Sequence, residues 1–220
     1  MDNRYLRNKD LIDQSRLDEI TVIGAGGIGS ALLQNAAIMG FKKIIVWDPD
    51  MLEEHNLSTT SWPEGFLNMP KVAATEIVLK RLNKKISVDK KPHYWENGFP
   101  LSNKVFLTPD NMEVRLKAYE TWKKNPNREW LIDMRMGALG FEIITVTRES
   151  DYFMDSYVPS SEIADDPCTA KHTIFCGSLA ASYGLSQAFN VLDNRLYYAY
   201  IWGSLGPVSL RREHLVKPTK

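Results

Sequence analysis

Cysteine is scarce in this 220-residue chain, which carries only Cys168 and Cys176. Two thiols cannot build a disulfide framework or, within one chain, a four-cysteine zinc site, and they fit a reducing compartment. Net charge is missing as well. Lys plus Arg and Asp plus Glu number 27 each, giving a formal net charge of +0, so no overall basic field is available to hold a polyanion. The basic residues Lys80, Arg81, Lys84, Lys85, Lys90 and Lys91 form a local cluster with no base-stacking motif beside it. Nucleic acid is therefore not an expected partner. No run is long and apolar enough to span a bilayer, and the charged start MDNRYLRNKD has no apolar signal core. The expectation is a cytoplasmic protein with no membrane contact. Repeats and low-complexity tracts are also lacking. With 44% apolar and 25% charged residues, the composition is that of an ordinary globular chain, read as one domain over 1–220.

What the chain does have is a strand, a glycine turn, a helix and a second strand from Val22 to Asp50. Ile20 to Ile23 is a short β-rich apolar run. Gly24, Gly26 and Gly29 form G-x-G-x-x-G leading into a helix. The first glycine permits a tight turn, the second lets backbone approach a phosphate, and the third lets the helix lie close on the sheet. The free N–H groups and positive dipole end of that helix face an anion. Asp48 ends the next strand, at the roughly 20-residue spacing where an acidic residue binds ribose hydroxyls. The pattern reads as a nucleotide-binding half-site.

The helix after the turn carries Ile28, Leu32, Ala36 and Met39 at helical spacing and stops at Gly40. Lys43–Trp47 is the second strand. A long polar connection follows, and Pro70 opens a helix with Ala74, Val78 and Leu82 on one face. Ile86–Val88, Tyr94–Trp95 and Val105–Leu107 are further strand candidates, Asn111 to Lys124 a helix, and Trp130–Asp133 and Phe141–Thr147 strands. Thr173 to Leu192 is a helix rich in small residues, and Tyr197–Trp202 an aromatic closing strand. The organisation is an arm (1–19), a nucleotide-binding core (20–147), a crossover loop (148–172) and a C-terminal helix with strands (173–220). Alternating strands and helices predict an α/β, Rossmann-like doubly wound sheet, mostly parallel, with added antiparallel strands toward the C-terminus.

Further features stand in order along the chain. They are Arg4-Tyr5-Leu6-Arg7-Asn8, the Gly24 to Ser30 turn including Gly27, Asp48-Pro49-Asp50, Asn56-Leu57, Pro70-Lys71, Asp110-Asn111 with Arg115, and Pro167-Cys168-Thr169. This series resembles the ThiF/MoeB/E1 superfamily of adenylyltransferases. The resemblance runs from Arg4 to the helix after Cys176 and is strongest from Ile20 to Ala74. It implies that ATP binds over Gly24, Gly26, Gly27 and Gly29, with Asp48 on the ribose and Asp50 and Asn56 in the same site. It implies that Lys71 neutralises the triphosphate, that Asp110 holds Mg²⁺, and that Arg7 reaches the site of a neighbouring subunit in a homodimer. The implied substrate is the C-terminal glycine tail of a ubiquitin-like or sulfur-carrier protein, activated as an acyl-adenylate. Pro-Cys-Thr resembles the segment in which eukaryotic E1 enzymes form a thioester, which would make Cys168 a nucleophile.

Each residue also has a plainer reading. Lys71 can be an exposed lysine, and Asn56 a turn former. Asp110 can be an N-cap whose box Glu113 completes. Arg115 can pair with a nearby carboxylate, Arg4 and Arg7 can be arm charges, and Cys168 can be a packing residue with Cys176 in the core. The chain departs from the family's N-L-x-R-Q at Thr59, where arginine would contact phosphate, and Arg135 is a possible substitute. It has no paired C-x-x-C motifs, and it looks like a short stand-alone member of bacterial or phage type. Two other functions stay open: a nicotinamide- or flavin-dependent oxidoreductase, and a catalytically degenerate E1-like binding module.

Overall fold

The computed structural model describes residues 3–162 and 172–218. Eight strands form one sheet in the order β3-β2-β1-β4-β5-β6-β7-β8. The strands are β1 (Glu19–Ile23), β2 (Lys43–Trp47), β3 (Ser87–Lys91), β4 (Lys104–Leu107), β5 (Trp130–Gly137), β6 (Gly140–Thr147), β7 (Tyr197–Leu205) and β8 (Val208–Val216). Strands β3 to β5 pair in parallel through β2, β1 and β4, and β5 to β8 pair antiparallel. The expected parallel sheet with antiparallel strands added toward the C-terminus is what folds. Central strands such as β1 (EITVI) are apolar because helices or loops cover both faces.

Helices α1 (Gly27–Met39), α2 (Lys71–Leu82) and α4 (Ile174–Leu192) pack on one face, and α3 (Met112–Lys123) on the other. The first face buries Ile20, Val22, Leu32, Leu33, Ile44 and Val46. The second buries Val105, Leu107, Tyr119, Trp122 and Leu131. Small residues of α4, among them Ala180, Ala181, Gly184 and Ala188, are buried as their composition required. No helix follows β3. Segment 92–103 covers that part of the second face instead, with Trp95 buried and Phe99 against Trp47 at 5.0 Å. Tyr94–Trp95 is thus a packing segment and not a strand. Strand β8 is the element that hydrophobic alternation does not show. Its residues VSLRREHLV are charged and mostly exposed, because it closes the edge of the sheet.

Chain order reverses between β1 and β4: β1 leads outward to β2 and β3, and the chain then returns to β4 on the other side. In open α/β sheets ligands bind beyond the carboxyl ends of the strands at such a switch point. The N-terminal arm lies at the opposite end. Arg4 donates to the Leu82 carbonyl at 2.6 Å, and Tyr5 packs on Gly40 at the C-cap of α1. A hollow of about 550 Å³ lined by Tyr5, Lys9, Lys42 and Lys85 also lies at that end, away from the glycine turn. No helix among the described residues is long and apolar enough to cross a membrane.

Candidate functional site

The turn after β1 is fixed by backbone shape and two polar contacts. Gly24 has φ +101°, and a Cβ there would lie 2.7 Å from the Thr108 carbonyl oxygen. Glycine is therefore required where β1 meets the end of β4. Thr108 Oγ1 donates to the carbonyls of Ile23 and Gly24 at 3.0 and 2.9 Å. Gly26 takes the N-cap position of α1. No side chain caps that helix, and no acidic residue stands in its first turn. Its leading N–H groups are thus left for a ligand. A Cβ on Gly26 would meet nothing within 4 Å, so the space above it is open.

Asp48, Asp50 and Lys71 meet beside this turn. Asp48 is 5% exposed. Its Oδ2 accepts from Ala25 N–H at 2.6 Å and its Oδ1 from Asp50 N–H at 2.9 Å. Burial pushes the Asp48 pKa up, opposed by the nearby Lys71 charge and by these N–H groups. Lys71 is 6% exposed, so the exposed-lysine reading fails. Its Nζ pairs with Asp50 Oδ2 at 2.7 Å, and its N–H donates to the Asp50 carbonyl at 2.9 Å. A bridge between Met51 and Pro70 closes the base of the intervening connection, which is how two residues 21 positions apart come together.

Asn56 has a structural part. It completes a capping box with Glu53, and its carbonyl accepts from the Thr59 and Thr60 hydroxyls at 3.2 and 3.0 Å. This is the turn-forming role. Thr59 nonetheless sits on the site's rim, because its carbonyl oxygen would lie 3.3 Å from a Cβ on Gly27.

Asp110 follows β4 and is exposed. It is not the cap of α3: Asn111 is, accepting from Val114 N–H at 2.9 Å. Glu113 forms no capping box but binds the Ser160 N–H and hydroxyl at 3.1 and 2.7 Å. The cap shifts one residue because Asn111, not Asp110, directly precedes the first helical residue. Asp110 stays exposed beyond β4, at the switch point, with its charge felt by Arg115. Arg115 is buried and pairs with the fully buried Asp133, as its plainer reading held.

Arg135 does not stand in for the arginine missing at Thr59. Its Nε pairs with Asp133 Oδ2 at 2.8 Å, and its Nη1 donates to the Ser156 carbonyl at 2.6 Å. It lies over the Phe153 ring on the α3 side. Neighbouring strand residues face opposite ways, so it is Met136 that covers Gly27.

Arg7 is exposed and makes no hydrogen bond or ion pair among the described residues. It belongs to the arm at the far ends of α1 and α2, and it is not brought to the turn of its own chain. Cys168 lies outside the described residues, as does the rest of 163–171. Cys176 is fully buried, as expected of a core thiol, and burial pushes its pKa up.

Of three residues that bind the site together, Trp62 and Gln34 had no motif to announce them, and Ser30 closes the glycine motif without its partner being legible. Trp62 Nε1 donates to the Ala25 carbonyl at 2.9 Å. Ser30 Oγ accepts from Ser61 N–H at 3.0 Å, and Gln34 Nε2 donates to the Ser61 carbonyl at 3.0 Å. They stitch the connection between β2 and α2 onto the turn and α1. For Trp62 the one available signal was an isolated tryptophan within a polar loop.

A glycine turn at the switch point of a mostly parallel sheet, with an acid ending β2, defines an α/β protein of the nucleotide-binding type. Residues 6–125 match the model of the ThiF family, and the chain belongs to that family. It is 38% identical over 73 residues to the adenylyltransferase and sulfurtransferase UBA4 of Yarrowia lipolytica, a match covering 33% of this chain and 18% of that protein. It is 30% identical over 127 residues to SUMO-activating enzyme subunit 2 of Dictyostelium discoideum, covering 52% and 19%. The matched stretch thus spans less than a fifth of either relative. Among solved structures, E. coli MccB with ATP has the same fold, with a TM-score of 0.74 at 16% identity, covering 98% of this chain and 72% of that one. PaaA has a TM-score of 0.75 at 15% identity, covering 92% and 66%.

Proposed function

We propose that this chain adenylates a carboxylate with ATP, releasing pyrophosphate. The carboxylate is the C-terminal glycine tail of a ubiquitin-like or sulfur-carrier protein. One observation carries the reading: an uncapped helix N-terminus, a buried Asp48 and a buried Lys71 converge at the carboxyl ends of β1 and β2. Asp110 follows β4, a strand two spacings or roughly 10 Å from β2 in the sheet. The charges suit the reaction. Carboxylate and triphosphate repel each other, and the site must align them while screening that repulsion. The first-turn N–H groups take phosphate oxygens, Asp48 accepts from ribose hydroxyls through its remaining lone pairs, and Lys71 leaves Asp50 for the polyphosphate.

Mg²⁺ fits the donors present. It keeps most of its waters and needs one or two carboxylates besides the phosphates, so a lone exposed Asp110 suffices where no cluster of ligating side chains stands among the described residues. When held there by Asp110 it would supply positive charge to neutralise the polyphosphate.

The names of relatives support the substrate class. One matched relative is a SUMO-activating enzyme subunit, and UBA4 is named an adenylyltransferase and sulfurtransferase. Cys168 is proposed as the next acceptor: its thiolate attacks the acyl carbonyl, a C–S bond forms, and AMP leaves with the electron pair of the broken C–O bond. Cys168→Ser should then stop transfer while pyrophosphate exchange continues.

The degenerate-module reading keeps one specific support, the absence of arginine at Thr59 together with the commitment of Arg135 elsewhere. The oxidoreductase reading gives no part to Lys71 or Asp50. One experiment separates the three. ³²P-pyrophosphate should exchange into ATP when a Gly-Gly carrier tail is added. Binding of ATP and tail with no exchange would establish the module, and stabilisation by NAD(P)H but not by Mg-ATP would establish the oxidoreductase.

A further inference from the structure

We propose that Trp62 is the positioning residue of the phosphate turn: its indole N–H holds the peptide between Ala25 and Gly26 in the one orientation that presents the Gly26 N–H to an anion. This rests on reading the turn as a phosphate cradle.

A trans peptide is planar, and its C=O and N–H point in opposite directions. Fixing one therefore aims the other. The peptide between Gly24 and Ala25 is fixed at both ends. Its N–H donates to Asp48 Oδ2 at 2.6 Å, and its carbonyl accepts from Thr108 Oγ1 at 2.9 Å. The next peptide, between Ala25 and Gly26, has one side-chain anchor. Its carbonyl accepts from Trp62 Nε1 at 2.9 Å, in the protein interior. The Gly26 N–H points the opposite way and makes no hydrogen bond among the described residues. Glycine at 26 places no Cβ barrier in the way of a peptide flip. Without Trp62 the flipped peptide would turn a carbonyl oxygen toward the phosphate and its N–H inward, so an attractive dipole would become a repulsive one.

Among the buried tryptophans only Trp62 and Trp122 have an indole N–H with a protein acceptor, and Trp122 bonds the Asn103 carbonyl, away from the turn. The indole N–H groups of Trp47, Trp95 and Trp130 are buried with no protein acceptor, so burial of a tryptophan in this fold does not by itself produce one. The ring is 3% exposed and sits within the core shared by α1 and β2. Its loop is anchored beside it by the Ser61 bonds to Ser30 and Gln34. Trp62 thus transmits the position of the connection between β2 and α2 directly to the turn.

Trp62→Phe keeps an aromatic ring in the core, smaller than the indole, and removes the donor. The variant and the wild type are compared by ATP titration calorimetry, by the apparent KM values for ATP and carrier tail, and by amide exchange at Ala25 and Gly26 followed by NMR. The expected result is ATP binding weakened about 5- to 30-fold, the loss of one buried hydrogen bond, with the carrier-tail KM unchanged. Exchange at Gly26 should slow as its N–H turns inward, and the Gly26 amide signal, shifted by ATP in the wild type, should stay put, while Ala25, held by Asp48, serves as the control. A purely structural role would move both KM values together or neither. Unchanged ATP affinity with unchanged Gly26 exchange overturns the proposal. If Trp62→Phe does not fold, Ser30→Ala, which frees the neighbouring Ser61 N–H, must weaken ATP binding with the same split, and equal affinity there overturns it too. A wild type that binds no ATP defeats the phosphate cradle and the adenylation reading, whereas the amide exchange comparison still decides whether Trp62 holds the turn.

Discussion

Lys71 and Asp48 show how far single residues define this site. The Lys71–Asp50 pair has one buried and one exposed partner, with side chains 8% and 55% exposed. Lys71→Met keeps the packed stem and leaves Asp50 hydrated, so the fold should lose no more than about 1 kcal/mol. Pyrophosphate exchange should fall by roughly 10²- to 10³-fold, the usual cost of removing a group that meets transition-state charge. Thermal melts and exchange assays on the same preparation separate the two effects. Asp48 adds a pH dependence. Its folded pKa lies above the ordinary carboxylate value because it is buried. The folded state therefore holds the proton more tightly than the unfolded chain, and the Asp48 contribution to stability falls as pH rises from the unfolded to the folded pKa. ATP binding runs the other way, because only the ionised group can accept from the Ala25 and Asp50 N–H groups and the ribose together. Affinity should weaken in acid with a midpoint above about 3.9, the value for an unperturbed aspartate. A calorimetric series across pH that stays flat down to that value would remove Asp48 from the ribose site.

The strand–turn–helix unit can be taken apart at its glycines. A Cβ on Gly29 would be driven into the Gly24 carbonyl, whose carbon stands only 2.8 Å from it. Backbone cannot give as a flexible side chain can, so Gly29→Ala should destabilise by about 3 kcal/mol or more. Gly26→Ala puts its methyl into empty space at φ −83°, which any residue adopts. Its denaturation midpoint should match the wild type within error while ATP affinity drops, since the methyl occupies ground the phosphate needs. Equal affinities would mean that no anion approaches Gly26. The same unit was the most legible part of the sequence, since strand, glycines, helix and acid follow one another in the chain and local geometry joins them. Elements whose form depends on distant partners were not legible. Strand β8 carries Arg211, Arg212 and Glu213 because it ends the sheet, so its composition mimics a loop. Segment 92–103 does a helix's covering work without helical periodicity. Asp110 and Glu113 fitted a capping box by spacing, but Ser160, 47 residues away, captures Glu113. The Trp62 bond spans 37 residues and was equally out of reach.

Across the whole molecule the two ends of the α/β layer carry different parts of the proposed machinery. Lys71 opens α2 beside the glycine turn, while the arm is tied to Leu82, at the other end of the same helix. Helix α1, which separates the turn from Gly40 and Tyr5, has 13 residues, or about 20 Å of rise. No single side chain bridges that distance, so if Arg7 touches a polyphosphate it does so in a second copy of the chain. Closed two-fold pairing makes such an exchange reciprocal. The consequence is arithmetic. Homodimers of Arg7→Ala and of Lys71→Met should each be inactive. In a mixed dimer the Arg7→Ala chain keeps its own Lys71 and receives an intact Arg7 from its partner, so one of its two sites is whole. Random re-pairing of equal amounts should then restore about a quarter of wild-type exchange activity. If Arg7 acted within its own chain, every site in the mixture would lack one of the two residues and none would be restored. Recovery after unfolding and refolding the two variants together, set against each refolded alone, distinguishes these outcomes. Absence of recovery despite mixed dimers seen by native mass spectrometry would confine Arg7 to the surface of the arm.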